Sequence, residues 1–65
     1  MSVIVNGESE PLPQPATLDT LLARLAPQRP FSVAHNEDFV PRDTYAACRL
    51  NPGDRIEIVH PSAGG

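Results

Sequence analysis

Val3-Ile4-Val5-Asn6-Gly7-Glu8 decides how this chain folds. Three β-branched residues in a row favour an extended, pleated backbone. The Asn-Gly pair that follows is the strongest short-range hairpin signal, because a type I′ turn needs positive φ at both central residues. The stretch therefore predicts an opening β-hairpin, with a second strand reaching toward Leu12 and ended by Pro11, Pro13 and Pro15. Next, Leu18, Leu21, Leu22 and Leu25 recur at i, i+3, i+4 and i+7, which is one face of a helix. Thr17 is placed to cap that helix through its hydroxyl, Asp19 puts negative charge in its first turn, and Pro27 closes it.

A helix after a hairpin covers the apolar face of the sheet and supplies the crossover that lets a later strand pair with the first. Later strands are legible. Phe31, Val33 and His35 alternate with small or polar residues, Asn36-Glu37-Asp38 marks a turn, and Phe39-Val40 begins a short strand that Pro41 confines to an edge. Asp43 to Ala47 reads as one helical turn with Tyr45 half-buried. Asn51-Pro52-Gly53-Asp54 is a tight-turn signal. It leads into a last strand, Arg55 to His60, with Ile56 and Ile58 on one face and Arg55, Glu57 and Val59 on the other. The order predicts an α+β domain over residues 1–60, a mixed sheet of four to five strands packed on one main helix in the ubiquitin-like β-grasp manner. Residues 61–65 are expected to form a flexible C-terminal tail.

Composition narrows the function. A chain of 65 residues buries only about 60% of its unfolded surface, which leaves little room for an enclosed active site of its own. Five arginines, no lysine and eight acids give a net charge of -3, so there is no basic footprint for nucleic acid, and acidic partners are disfavoured. The lack of lysine removes Schiff-base chemistry. Cys48 stands alone, so no internal disulfide forms and a reducing, cytoplasmic setting is expected. No apolar run approaches the roughly 20 residues that span a bilayer, and no charged-then-apolar leader opens the chain, which reads as soluble without a membrane partner.

The sequence ends in Ala63-Gly64-Gly65. Paired glycines make the thinnest tail a chain can offer, and Pro61 to Gly65 can extend about 17 Å at ~3.3–3.6 Å per residue. A terminal carboxylate on such a tail could enter another protein's site. A frayed end is the other reading of the same residues.

With those features in hand, the chain resembles the sulfur carrier proteins of thiamine biosynthesis, the ThiS family. The resemblance rests on Val3 to Glu8, on Val33-Ala34-His35-Asn36 with Val40-Pro41-Arg42, on Gly53 to His60 and on Gly64-Gly65, and it covers essentially the whole sequence. It implies that the protein is not itself an enzyme and binds no cofactor or metal. An adenylyltransferase of the E1-like class would use ATP to activate the Gly65 carboxylate, a persulfide sulfur donor would displace AMP, and the thiocarboxylate would serve a thiazole synthase. Gly64 and Ala63 would enter the partner's site. Pro61 shortly before Gly-Gly also resembles the small subunit of molybdopterin synthase, which is the alternative, and a ubiquitin-like protein modifier would use the same activated carboxylate.

Other residues carry weaker signals. His35, His60 and Cys48 match no zinc spacing and read as surface or edge-strand histidines and a small packing thiol. Asp54 and Glu57 read as a turn residue and a solvent-facing strand position, without an acid/base role. Phe39 and Val59 are candidates for an exposed apolar face that docks partners.

Overall fold

The two-residue loop expected at Asn6-Gly7 is present in the structure, a computed structural model that describes residues 1–61. Asn6 and Gly7 take φ of 50° and 84°, joining β1 (Ser2–Val5) to β2 (Glu8–Pro11) in an antiparallel pair with Val5 opposite Glu8. The helix α1 spans Leu18–Leu25. Then come β3 (Ser32–His35), β4 (Asp38–Val40), a 3-10 helix over Arg42–Ala47, and β5 (Arg55–Val59). The sheet order is β2-β1-β5-β3-β4, with β1 and β5 parallel and every other pair antiparallel. This is the mixed five-strand β-grasp sheet with one helix across it.

Register decides which side chains meet the helix. Val33 lies opposite both Val40 and Ile58, and Val5 opposite Ile56, so these residues share the inner face. Val5, Val33, Val40 and Ile56 form one core with Val3, Leu18, Leu21, Leu22 and Leu50, against which Leu12, Leu25, Phe31, Tyr45, Cys48 and Ile58 are packed. Leu50 is the core member with no signal in the sequence, since Arg49 and Asn51 beside it mask any periodicity. It is drawn inward by its N–H bonding Ala16 O at 2.8 Å, while the Leu18 N–H bonds Cys48 O at 2.8 Å.

The helix ends differ from expectation in detail. The Thr17 hydroxyl makes no bond to a helix N–H; it meets the Asp19 carboxylate and the Thr20 hydroxyl instead. Asp19 Oδ1 takes the Thr20 N–H at 2.9 Å. A carboxylate one residue into the helix thus satisfies an orphan donor expected to fall to Thr17. At the other end Ala26 closes the helix in a left-handed conformation, φ 48°, with its N–H on Leu22 O. Pro27 follows.

The turn before β5 is type II in kind: Pro52 occupies its second position, Gly53 its third at φ +87°, and the Asp54 N–H bonds Asn51 O at 3.0 Å. It is sewn to β1 by the Gly53 N–H on Ser2 O and the Ile4 N–H on Asp54 O. Both edge strands carry the devices that discourage further pairing, Glu8, Glu10 and Pro11 on β2 and Asp38 with the following Pro41 on β4.

Candidate functional site

The residues Ala63, Gly64 and Gly65 lie outside the described residues, so the site is approached through what leads to them. β5 ends at Val59, and the His60 ring then stands edge-on to Phe31, centroids 6.4 Å apart and planes at 61°. The strand that delivers the tail is unusually well anchored. The Asn6 side chain accepts the Ile58 N–H at 2.8 Å and donates to Ile58 O at 3.2 Å, and the Asn6 N–H bonds Ile56 O at 2.9 Å. From the other side Asn36 accepts the Arg55 N–H on its Oδ1 at 2.8 Å, and its N–H reaches Arg55 O at 2.8 Å. Both asparagines sit at φ near +50°, a region their short polar side chains tolerate. Each therefore closes a hairpin and clamps β5. The clamp joins residues 52 positions apart, and no local sequence signal announces it.

The two candidate docking residues emerge on one surface. Ala34 is opposite both Phe39 and Glu57, and Ser32 is opposite Val59, so these side chains all point to the outer face, away from α1. There Phe39 is 69% exposed and Val59 57%.

His35 departs from the sequence reading. It lies on β3, an interior strand between β5 and β4, and its side chain is 22% exposed. Its Nε2 donates to Asp54 Oδ2 at 2.7 Å, and the same oxygen accepts the Asn51 N–H at 2.9 Å. On the other side of the ring, Cys48 Sγ lies 3.6 Å from Nδ1. A thiol, an imidazole and a carboxylate in line look like a nucleophile with its base. The electrostatics run the other way: burial first, and then the Asp54 charge, push the Cys48 thiol up, whereas an activated thiol needs its pKa lowered. The chain Cys48-His35-Asp54 is a strut between β3 and the turn before β5. Among the described residues no group of three or more His, Cys, Asp or Glu is disposed to hold a metal ion. Glu57 is exposed on the outer face and makes no bond to Asp54.

The strut gives a pH prediction. Burial pushes the Asp54 carboxyl up, but the Asn51 N–H and the His35 and Asn36 side chains favour the carboxylate more, and the net shift is downward. A carboxyl whose folded pKa is depressed contributes stability above its unfolded value of about 3.9, and that stability is lost as pH falls through the lower folded value. Asp54→Asn is expected to cost about 1–3 kcal/mol at neutral pH, the worth of charged hydrogen bonds. The gap from the parent protein should narrow below about pH 4. Urea unfolding of both proteins at neutral and acid pH measures this, and a gap that stays constant would remove the charge of Asp54 from the account.

Among the described residues no helix is long and apolar enough to cross a membrane. Comparison with known proteins gives a consistent picture. Thiazole synthase from Paramagnetospirillum magneticum is 35% identical over 66 residues, and thiazole synthase from Magnetococcus marinus 39% identical over 67. In both cases all of this chain is matched but only 20% of the other protein, so the chain spans about a fifth of the length of these relatives. The crystal structure of thiamine biosynthesis protein ThiS from Geobacter metallireducens superposes with a TM-score of 0.81 over 100% of both chains at 24% identity, which shows a shared fold. The model of the ThiS family matches residues 3–65, from the second residue of β1 to the final glycine, and the chain belongs to the ThiS family.

Proposed function

We propose that this protein is a sulfur carrier of thiamine biosynthesis, that Gly65 is the residue modified, and that the chemistry is performed by partner enzymes. The observation that carries the reading is the family match running through Gly65, on a sequence whose last strand β5 leads directly to the tail. An α-carboxylate has a pKa near 3.5 and is anionic at neutral pH, which makes it a poor acyl electrophile. An E1-like adenylyltransferase solves this: a carboxylate oxygen attacks the α-phosphorus of ATP and pyrophosphate leaves. The outer sulfur of a persulfide then attacks the acyl carbon and AMP leaves with the bonding pair. A further thiol reduces the resulting S–S bond and frees the thiocarboxylate.

The acceptor is a thiazole synthase. Two proteins of that name contain a stretch like this chain, and a stretch covalently held within an enzyme is kept at that enzyme's site at high effective concentration. Partners dock on the outer sheet face around Phe39 and Val59, with Gly64 and Ala63 threading the active site. The free half-buried thiol of Cys48 suits a reducing, cytoplasmic setting.

Intact-mass measurement tests the proposal. After incubation with an E1-like adenylyltransferase, ATP and a persulfide donor, the protein should gain the mass of an oxygen-to-sulfur exchange, located by fragmentation at Gly65. Absence of that gain, with the adenylyltransferase shown to be active on a known carrier, would overturn it. Appearance of the mass of a lysine-linked conjugate instead would make the protein a modifier.

A further inference from the structure

The helix side of the molecule carries a feature that sulfur transfer does not use. A cleft of about 430 Å³ opens between α1, the segment that follows it and the 3-10 helix. Leu22 and Ala26 form an apolar floor, Phe31 and Tyr45 are aromatic walls, and Arg29 and Arg42 line the same space. Neither guanidinium is in an ion pair among the described residues, where Arg24–Glu10 and His35–Asp54 are the pairs formed. Asp19 also lines the cleft, but its Oδ1 is taken up by the Thr20 N–H and the Thr17 hydroxyl. A chain of net charge -3 thus presents a local excess of positive charge, two guanidinium groups against the one Asp19 carboxylate, beside two half-buried aromatic rings. The whole-chain charge disfavours acidic partners, but recognition is governed by the charge at the contact.

We propose that this cleft is a second docking site that takes an acidic, aromatic-bearing peptide segment of a partner protein, its carboxylates on Arg29 and Arg42 and its ring between Phe31 and Tyr45. Guanidinium groups bind carboxylates as a planar fork and stack on rings. A phosphate ligand fits less well. The cleft runs from Asp19 in the first turn of α1 to Ala26 just past its end, and the Asp19 carboxylate, which already holds the Thr20 N–H, stands where a phosphate cradled by the helix N-terminus would sit. The position adds meaning. Phe31 forms a cleft wall and also meets His60, so an occupant sits beside the root of the tail. The cleft is on the side of the sheet covered by α1, opposite Phe39 and Val59, so both faces can be engaged at once. The inference goes beyond the sulfur-carrier proposal and does not rest on it.

The test is an amide NMR titration of the full chain with acetyl-Glu-Phe-Asp-Phe-Glu-amide, beside its neutral counterpart acetyl-Gln-Phe-Asn-Phe-Gln-amide and AMP. The acidic probe should shift the amides of Ala26, Phe31, Arg42 and Tyr45, and the neutral probe should bind about tenfold more weakly, a difference of ~1.4 kcal/mol. In the Arg29→Gln, Arg42→Gln double variant the acidic probe should fall to the level of the neutral one. Both arginines are exposed, so the variant is expected to keep the parent spectrum elsewhere. Equal binding of the two peptides, shifts centred on Phe39 and Val59, no shifts at all, or tighter binding of AMP would each overturn the proposal. The titration involves no ATP and no enzyme, so its outcome is separate from that of the sulfur-transfer assay.

Discussion

Deletion of Gly65 is expected to abolish the oxygen-to-sulfur mass gain while leaving the unfolding midpoint where it was. On the proposed chemistry the reacting carbon is the Gly65 carboxyl, and the deletion leaves the Gly64 carboxyl one residue, about 3.3–3.6 Å, short of its station. Misplacement of a reacting group by about 1 Å can already cost roughly 10²-fold in rate, so a retreat of a full residue takes the yield below detection. Stability is another matter. The core runs from Val3 to Ile56, with Ile58 packed against it, and the clamps on β5 end at Ile58; the deletion removes none of these residues. Intact-mass analysis and a thermal melt of the same sample separate the two effects. A retained mass gain would mean that the reacting carboxyl is not that of Gly65, and a lost gain with a collapsed melt would assign Gly65 a structural part.

The features that the sequence made legible are those that local chemistry dictates. Asn6-Gly7, the leucines of α1 and Asn51-Pro52-Gly53-Asp54 each act within a few residues, through φ preference or helical period, and each is found where its chemistry puts it. The same holds for the outward pointing of Glu57 and Val59, because alternation is a property of a single strand. Long-range features were not legible. Nothing near His35 says that Asp54, 19 positions on, will accept a hydrogen bond from its ring, or that β3 will lie inside the sheet. Asn6 announces a turn through its neighbour Gly7, but its grip on Ile58 exists only once β1 and β5 lie parallel. Thr17 missed its expected role because Asp19, also legible as a first-turn acid, reached the orphan N–H first. At the candidate site, Phe39 and Val59 were readable together as candidates for an exposed apolar face, and the β3 pairings, which set Ala34 opposite Phe39 and Ser32 opposite Val59, supply the geometry that puts them on one side. The cleft needed the 3-10 helix to be set against α1 before Arg29 and Arg42 could be seen together.

Leu21→Ala is expected to take most of the stability of this domain. Leu21 is fully buried at the middle of α1, with Leu18 and Leu25 on the same helical face, and the inner sheet residues Val3, Val33 and Ile56 are buried with it in one core. Truncating a buried leucine loses the transfer free energy of its methyl and methylene groups and leaves a cavity, together about 2–5 kcal/mol, with the larger figures where the surroundings cannot collapse. Collapse is hindered here. The N-terminus of α1 is tied to the 48–50 segment by the Leu18 N–H on Cys48 O, and its start is fixed again by the Leu50 N–H on Ala16 O, so the helix cannot settle toward the sheet without breaking buried hydrogen bonds. The upper half of the range therefore applies. Against it stands a total of roughly 3–10 kcal/mol for a chain of this length, at ~0.05–0.15 kcal/mol per residue. Val59→Ala, on the exposed outer face, should change stability by no more than about 0.5 kcal/mol. Urea unfolding followed by far-UV circular dichroism measures both. A loss of under about 1 kcal/mol for Leu21→Ala would mean that α1 re-seats on the sheet, and that the helix is not the element on which the single core of this fold depends.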